Sequence, residues 1–260
     1  MLDTASEMKF SIIIPSYEQP LFIGHTLQNV KEIRQAAREK GIEVEILLFD
    51  SCSGGAVQKE IAKYRSEIDR LEVKKDYGQF DAINKGILSC TGDYWTWLNT
   101  DDVLDKDGFL RTADILINDP SIDYIYGSVD YMDENGKYIR SYPSYAVDME
   151  TLTTKVPGIF QQGSFFRKKF TDSIGMLREF NCCFDYEYVL RCLKNGAKMY
   201  VCDFKVASFR LHGGSKTGSI IPMFIRDQLV ISKEYGRKWY HFLSWFSYLR
   251  LLKHKLFPRK

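Results

Sequence analysis

Lys9-Phe10-Ser11-Ile12-Ile13-Ile14-Pro15 is a nearly continuous β-branched run closed by proline, the pattern of a strand buried on both faces of a parallel sheet. Outward from it, Leu21, Ile23, Leu27, Val30, Ile33 and Ala37 recur at spacings near 3.6 and Gly41 supplies a stop, so a helix follows the strand. Val44–Phe49 is a second buried run and ends in the polar turn Asp50-Ser51-Cys52-Ser53-Gly54-Gly55. A helix around Val57–Ile68, a short strand at Leu71–Lys74, a helix over Phe80–Ser89 and a strand at Tyr94–Leu98 continue the alternation. Such a series builds an α/β fold with a mostly parallel central sheet flanked by helices, and ligands of such sheets collect beyond the carboxyl ends of the strands. Asp50 and Asp101 both stand at such ends. After Asp105 the spacing loosens. A helix is expected near Gly108–Asn118, strands at Tyr124–Tyr131 and Tyr138–Tyr142, a mixed stretch to Phe170, a helix over Asp185–Asn195 and a strand at Lys198–Asp203. With no repeat and no linker, residues 9–217 read as one domain with halves 9–105 and 106–217, followed by a basic, aromatic, helical extension over 218–260.

The 260 residues, 45% hydrophobic and 27% charged, are ordinary for a folded protein with a substantial core. The net charge of +2 hides an asymmetry: seven Lys or Arg and no acid follow Glu234, leaving 29 basic against 34 acidic groups before it. Nucleic acid wants a basic groove in the folded body, so this balance excludes it as a partner, whereas a basic aromatic tail suits an anionic membrane surface or a partner. The six cysteines fall at no zinc-type spacing and Met1-Leu2-Asp3-Thr4 lacks the pattern of a secretory signal, which points to a reduced, cytoplasmic setting. No run reaches the length needed to cross a bilayer. In the tail, Phe242, Trp245, Phe246, Leu249, Leu252 and Leu256 share one helical side, flanked by Arg237, Lys238, Arg250, Lys253 and Lys255. An interfacial helix and a helix packed on its own domain or a second copy are both open readings.

Asn99-Thr100-Asp101-Asp102 follows the apolar strand, which places an amide and two carboxylates at the mouth of the sheet. Hard divalent cations take oxygen ligands, and few protein carboxylates are needed when a diphosphate supplies the rest. The alternative is an Asp-rich turn capping a helix begun by Val103. Asp50 suits ribose hydroxyls, or else closes an Asx-turn. Asp81 and Lys85, four apart on a helix, can pair with each other.

Four blocks in order resemble the family 2 glycosyltransferases of the GT-A, Rossmann-like fold: Ser11–Tyr17, Leu48–Gly55, Asp76–Ile87 and Gly92–Asp102. The similarity continues through Gln161–Arg167, Gly175, Asp185–Arg191 and Arg210–Ser215. It implies an inverting, nucleotide-sugar-dependent transferase. Pro15, Ser16, Tyr17, Asp50, Gly78, Asp81, Lys85, Asn99 and Asp101 would then face the donor, and Gln161, Gln162 and Arg167 the acceptor. Asp101, Asp102 and His212 would hold Mn2+ or Mg2+. Asp185 would be the catalytic base, since an inverting transfer needs one carboxylate to take the acceptor proton and no nucleophilic partner. Glu187 is the rival base, and a helix N-cap is the bland reading of Asp185. The Gly213, Gly214, Ser215 and Lys216 segment would offer NH groups and a cation to phosphate. The acceptor would be a saccharide or lipid-linked hydroxyl, in cell-surface polysaccharide assembly at the inner face of a membrane. Two positions depart from the family: Asn99 replaces the commoner Asp, and Glu18 the commoner Asn. The alternatives are a sugar-phosphate nucleotidyltransferase, which wants a Gly-rich basic loop where Ser16-Tyr17-Glu18-Gln19-Pro20 stands, and a nucleotide-sugar-binding module without catalysis.

Overall fold

The computed structural model describes residues 8–154, 159–213, 221–238, 240–242, 245–247 and 249. The first half follows the expected alternation: β1 (Lys9–Ser16), α1 (Ile23–Arg38), β2 (Glu43–Asp50), α2 (Gly55–Lys63), β3 (Arg70–Val73), α3 (Gln79–Ser89) and β4 (Tyr94–Trp97). The second half holds β5 (Val103–Leu104), α4 (Lys106–Asn118), β6 (Tyr124–Met132), β7 (Tyr138–Tyr142), α5 (Met149–Thr154), β8 (Ser164–Arg167), α6 (Lys168–Ile174), α7 (Phe184–Lys194) and β9 (Met199–Arg210), and α8 (Ile221–Glu234) follows.

Among the described residues the strands form one sheet in the order β3-β2-β1-β4-β8-β6-β9-β5, with β7 on β6. The first four strands are parallel. Beyond β4 the sheet is mixed: β4–β8, β8–β6, β6–β7 and β5–β9 run antiparallel and β6–β9 parallel. The register puts Ser16 beside Asp50 and Ile13 beside Trp97. β4 therefore leaves the ladder three residues before β1 does, and residues 98–102 run on beside the end of β1, where Leu98 donates its N–H to the Ile13 carbonyl.

Successive residues of β1 feed two cores, as the period of two in a strand demands. Ile12 and Ile14 pack with Ile46, Leu48, Leu27, Val30 and Phe109 on the face covered by α1, α2 and α4. Ile13 packs with Leu47, Phe49, Ile83, Trp95, Trp97, Tyr124, Phe166 and Tyr188 on the face covered by α3 and α7. α3 lies close to the sheet: a Cβ on Gly86 would meet Ile13 Cγ2 at 2.3 Å.

Three expectations change. Val103 begins no helix; it pairs with Ser208 on β9, and α4 starts after Asp105, whose carboxylate accepts the Gly108 N–H at 2.9 Å. Inside the mixed stretch, Ser164–Arg167 forms β8 between β4 and β6. β9 runs on to Arg210 instead of ending at Asp203, because β6 offers it a partner along its whole length despite two register shifts.

Candidate functional site

The Asn99–Asp102 loop is held from several sides. The Thr26 hydroxyl on α1 reaches the carbonyl oxygens of Thr100 and Asp102 at 3.0 and 2.9 Å. Asp102 is wholly buried; its carboxylate accepts from the Arg210 N–H at 3.1 Å and from Asn99 Nδ2 at 3.0 Å, and from Gln162. Burial and the neighbouring charge of Asp101 push that carboxyl well above the usual range. Asn99 completes a relay, for its Oδ1 accepts from Gln79 Nε2 at 2.6 Å. An amide can donate to Asp102 and an aspartate cannot, so the departure at position 99 has a physical reason.

Asp101 points the other way. Its Oδ2 lies 3.0 Å from His212 Nε2, across 111 residues of chain. His212 packs against Phe22 with ring centroids 4.5 Å apart and the planes tilted by 48°. Arg210 fixes this arrangement: its Nε donates to the Asp101 carbonyl at 2.9 Å, its Nη1 to the Glu134 carbonyl at 3.0 Å, and its guanidinium lies 5.1 Å over the Phe22 ring. In the sequence Arg210 stands out only as a member of the Arg210–Ser215 motif. The signal it offered was an arginine at the end of an apolar strand, two residues before the histidine.

Asp50, buried at the end of β2, is a hub. It accepts from Ser16 Oγ (2.8 Å), Ser53 N (2.8 Å), Ser53 Oγ (2.6 Å) and Gln58 Nε2 (2.7 Å). Asp50 thus does bond the turn that follows it, through the Ser53 N–H three residues on and not the N–H two residues on that an Asx-turn uses. Glu18, with φ of 49°, accepts the Gly54 N–H at 2.8 Å, joining the loop after β1 to the start of α2. Pro15 and Ser16 are buried beneath it, while Tyr17 is 58% exposed with Lys75 Nζ 4.9 Å from its ring centroid. Gly78, with φ of 124°, turns the chain into α3, where the Asp81 carboxylate takes both the Tyr77 N–H (3.2 Å) and Lys85 Nζ (3.2 Å). Asp81 and Lys85 therefore do pair with each other.

On the other side of the end of β4, Phe184 packs on Trp97 at 6.2 Å and presents Asp185 in the first turn of α7. The N-cap is Cys183, not Asp185. Asp185 Oδ1 accepts the Tyr186 N–H at 2.8 Å, and burial raises its pKa from 3.8 to about 6. Glu187 is spent elsewhere. It is fully buried, with Arg178 Nη1 at 3.4 Å, Arg191 Nη2 at 2.9 Å and Tyr235 Oη at 2.7 Å.

Of the residues expected at the acceptor, Gln161 donates to the Trp97 carbonyl at 2.6 Å and Gln162 meets Asp102, so both border the same strand end. Arg167 does not. It pairs with Tyr94 in the ladder, at the opposite end of β4, and its guanidinium binds Asp123. The antiparallel course of β8 carries Arg167 away from the cleft that Gln161 and Gln162 reach. Gly214, Ser215 and Lys216 lie outside the described residues.

The model for Glycosyl transferase family 2 matches residues 11–175. Over 229 residues the chain is 27% identical to the PGL/p-HBAD biosynthesis glycosyltransferase of Mycobacterium tuberculosis, spanning 84% of this chain and 82% of that one. An uncharacterized glycosyltransferase of Rickettsia conorii is 29% identical over 131 residues, half of this chain but only 21% of the relative's length. Among solved structures, S. aureus TarS in complex with UDP-GlcNAc aligns with a TM-score of 0.64 at 17% identity, covering 97% of this chain and 74% of that one. The mannosyltransferase PcManGT of Pyrobaculum calidifontis, in complex with GDP-Man and Mn2+, aligns with a TM-score of 0.65 at 13% identity, covering 98% and 73%. Such identities speak for the fold alone, which is that of the GT-A glycosyltransferases. With the family model matched over more than half of its length, the chain belongs to glycosyl transferase family 2.

Proposed function

We propose that this glycosyltransferase moves a sugar from a nucleoside diphosphate sugar, a UDP-sugar in the first instance, to a hydroxyl of a saccharide or lipid-linked acceptor, with inversion at the anomeric carbon. The observation that carries the reading is the meeting of Asp101 and His212 at 3.0 Å on one side of the end of β4, with Asp185 on the other. The complexes of TarS with UDP-GlcNAc and of PcManGT with GDP-Man and Mn2+ support a donor of this class and a divalent cation.

A carboxylate oxygen and an imidazole nitrogen fit Mn2+ or Mg2+ when a diphosphate completes the oxygen set. Among the described residues no three such side chains gather, so a site of this kind needs the donor's own oxygens. Asp101 and His212 would hold the ion, and Asp102 would stand behind them, bonded to Asn99, Gln162 and Arg210. A bound cation supplies charge neutralisation for the leaving diphosphate. The remaining work falls to side chains. Asp50, Ser16 and Tyr17 shape the nucleoside end, with Gly78, Asp81 and Lys85 at the start of α3 beside it. Gln161 and Gln162 line the acceptor side. Asp185 takes the proton from the acceptor hydroxyl as that oxygen attacks the anomeric carbon and the diphosphate leaves from the opposite face.

The Asp185 carboxyl, raised toward the pH at which such a base works, favours catalysis over a binding module. The setting is cell-surface polysaccharide or glycolipid assembly, at the cytoplasmic face of a membrane. The test is consumption of a panel of nucleotide sugars with Mn2+ or Mg2+ and mixed saccharide acceptors. Turnover of one donor supports the reading; metal-dependent UDP binding with no donor consumed across the panel contradicts it in favour of the module.

A further inference from the structure

The last described residues carry an aromatic stripe. Phe242, Trp245, Phe246 and Leu249 follow at i, i+3, i+4 and i+7, so they share one face of a helix. They are 75%, 59%, 48% and 58% exposed, and the Phe242 and Phe246 rings stack at 6.3 Å. Tyr240, 63% exposed, precedes them. Apolar surface gathered into a stripe in this way marks an interaction site.

Charge selects the occupant. The stripe lies in the segment that holds seven basic residues and no acid after Glu234, against a body with an excess of acids. A two-fold contact between copies would set this basic segment against itself. An anionic bilayer surface satisfies both features, because Trp and Phe rings settle among lipid headgroups while flanking Lys and Arg meet their phosphates. No described helix is long and apolar enough to cross a membrane.

We propose that Phe242, Trp245, Phe246 and Leu249 dock the protein on an anionic lipid bilayer. The dock is tied to the reaction site. Five residues before Phe242, Arg237 donates to the Thr153 carbonyl on α5 at 3.3 Å. Next to it on α5, the Leu152 carbonyl accepts from Tyr186, the neighbour of Asp185, at 2.8 Å. On the transfer reading of the preceding subsection, docking would bring Asp185 to a hydroxyl carried by a lipid. Vesicle binding requires neither donor nor turnover and so tests the dock separately.

The test is co-sedimentation of the full chain with phosphatidylcholine vesicles, with and without phosphatidylglycerol, at low and high salt. Wild type is expected to pellet with the anionic vesicles at low salt. The double variant Trp245→Glu/Phe246→Glu should lose roughly tenfold or more in partitioning while keeping the wild-type melting curve. Leu249→Ser, a milder change on the same face, should lose severalfold and keeps the test usable if the double variant misfolds. Equal pelleting of variants and wild type, or equal binding to neutral and anionic vesicles, overturns the proposal. So does a wild-type dimer that the double variant dissociates in the absence of any lipid binding. Vesicle binding without consumption of any donor sinks the transfer reading and leaves the dock standing.

Discussion

The two halves of the sheet treat their carboxylates differently. In the parallel half Asp50 is buried but accepts four hydrogen bonds from Ser16 at the end of β1, Ser53 in the turn after β2 and Gln58 on α2. In the mixed half Asp185 is crowded by its surroundings and its pKa is raised to about 6. The first arrangement builds a rigid, fully bonded rim; the second leaves a carboxyl that titrates nearer neutrality, as the proposed base would require. Glu187 sharpens the contrast. Two residues from Asp185 on the same helix, it is locked by Arg178, Arg191 and Tyr235 and ties α7 to the chain beyond α8.

The largest effect that tests this division belongs to Asp101. Asp101→Ala should remove metal-dependent nucleotide binding, read by calorimetry, and lower donor consumption by about 100-fold or more, with little change in melting temperature. Retained metal-dependent binding would detach the Asp101 and His212 pair from the donor.

Next comes Glu187→Gln. Removing a charge that two arginines and a tyrosine surround should destabilise the fold by about 3 kcal/mol, seen in a denaturant melt, while the surviving folded fraction keeps the wild-type pH profile. A changed acid limb in that profile would return Glu187 to the chemistry.

Asp185 should show the opposite sign. Its folded pKa of about 6 lies above its unfolded value near 3.8, so the folded state holds the proton longer and stability falls as pH rises between about 4 and 6. Asp185→Asn should erase that slope and gain on the order of 1–2 kcal/mol at pH 7, the full shift being discounted for partial exposure. For wild type, kcat/KM should rise with pH through about 6 as the base loses its proton. A profile flat from pH 5 to 8 would contradict this.

The smallest expected change is at Asn99. Asn99→Asp replaces a donor to Asp102 with a third carboxylate in the loop and should cost about 1–2 kcal/mol in the metal-free protein. Added Mn2+ should recover part of it; a melting temperature unmoved in both conditions would remove the relay from Gln79 through Asn99 to Asp102.

The parallel half was legible because its signal is local. Largely apolar runs, β-branched in β1, aliphatic in β2 and aromatic in β4, with helical spacing between them, placed these strands to within a residue or two, and with them the strand ends at Asp50 and Asn99. The mixed half was less so. β8 and the second part of β9 are specified by partners 40 to 80 residues away, as in Tyr124 beside Phe166 and Met132 beside Arg210, and Asp203 and Lys205 break the apolar run that would announce a strand. The same non-local pairing carried Arg167 to the wrong end of β4. Asp101 and His212 were visible as polar residues in turns, the family resemblance implied that they share an ion, and the fold adds their direct contact. The burial of Glu187 was not visible, since a helix pattern shows that it and Asp185 diverge without showing which of them faces a cleft.

The most direct measurement is a pair of readings on Asp185→Asn beside wild type: Mn2+-dependent UDP affinity by calorimetry, and turnover of the donor identified by the panel. The account requires unchanged affinity with turnover reduced by about 100-fold to 10,000-fold. Turnover at the wild-type level in that variant would show that another group takes the acceptor proton.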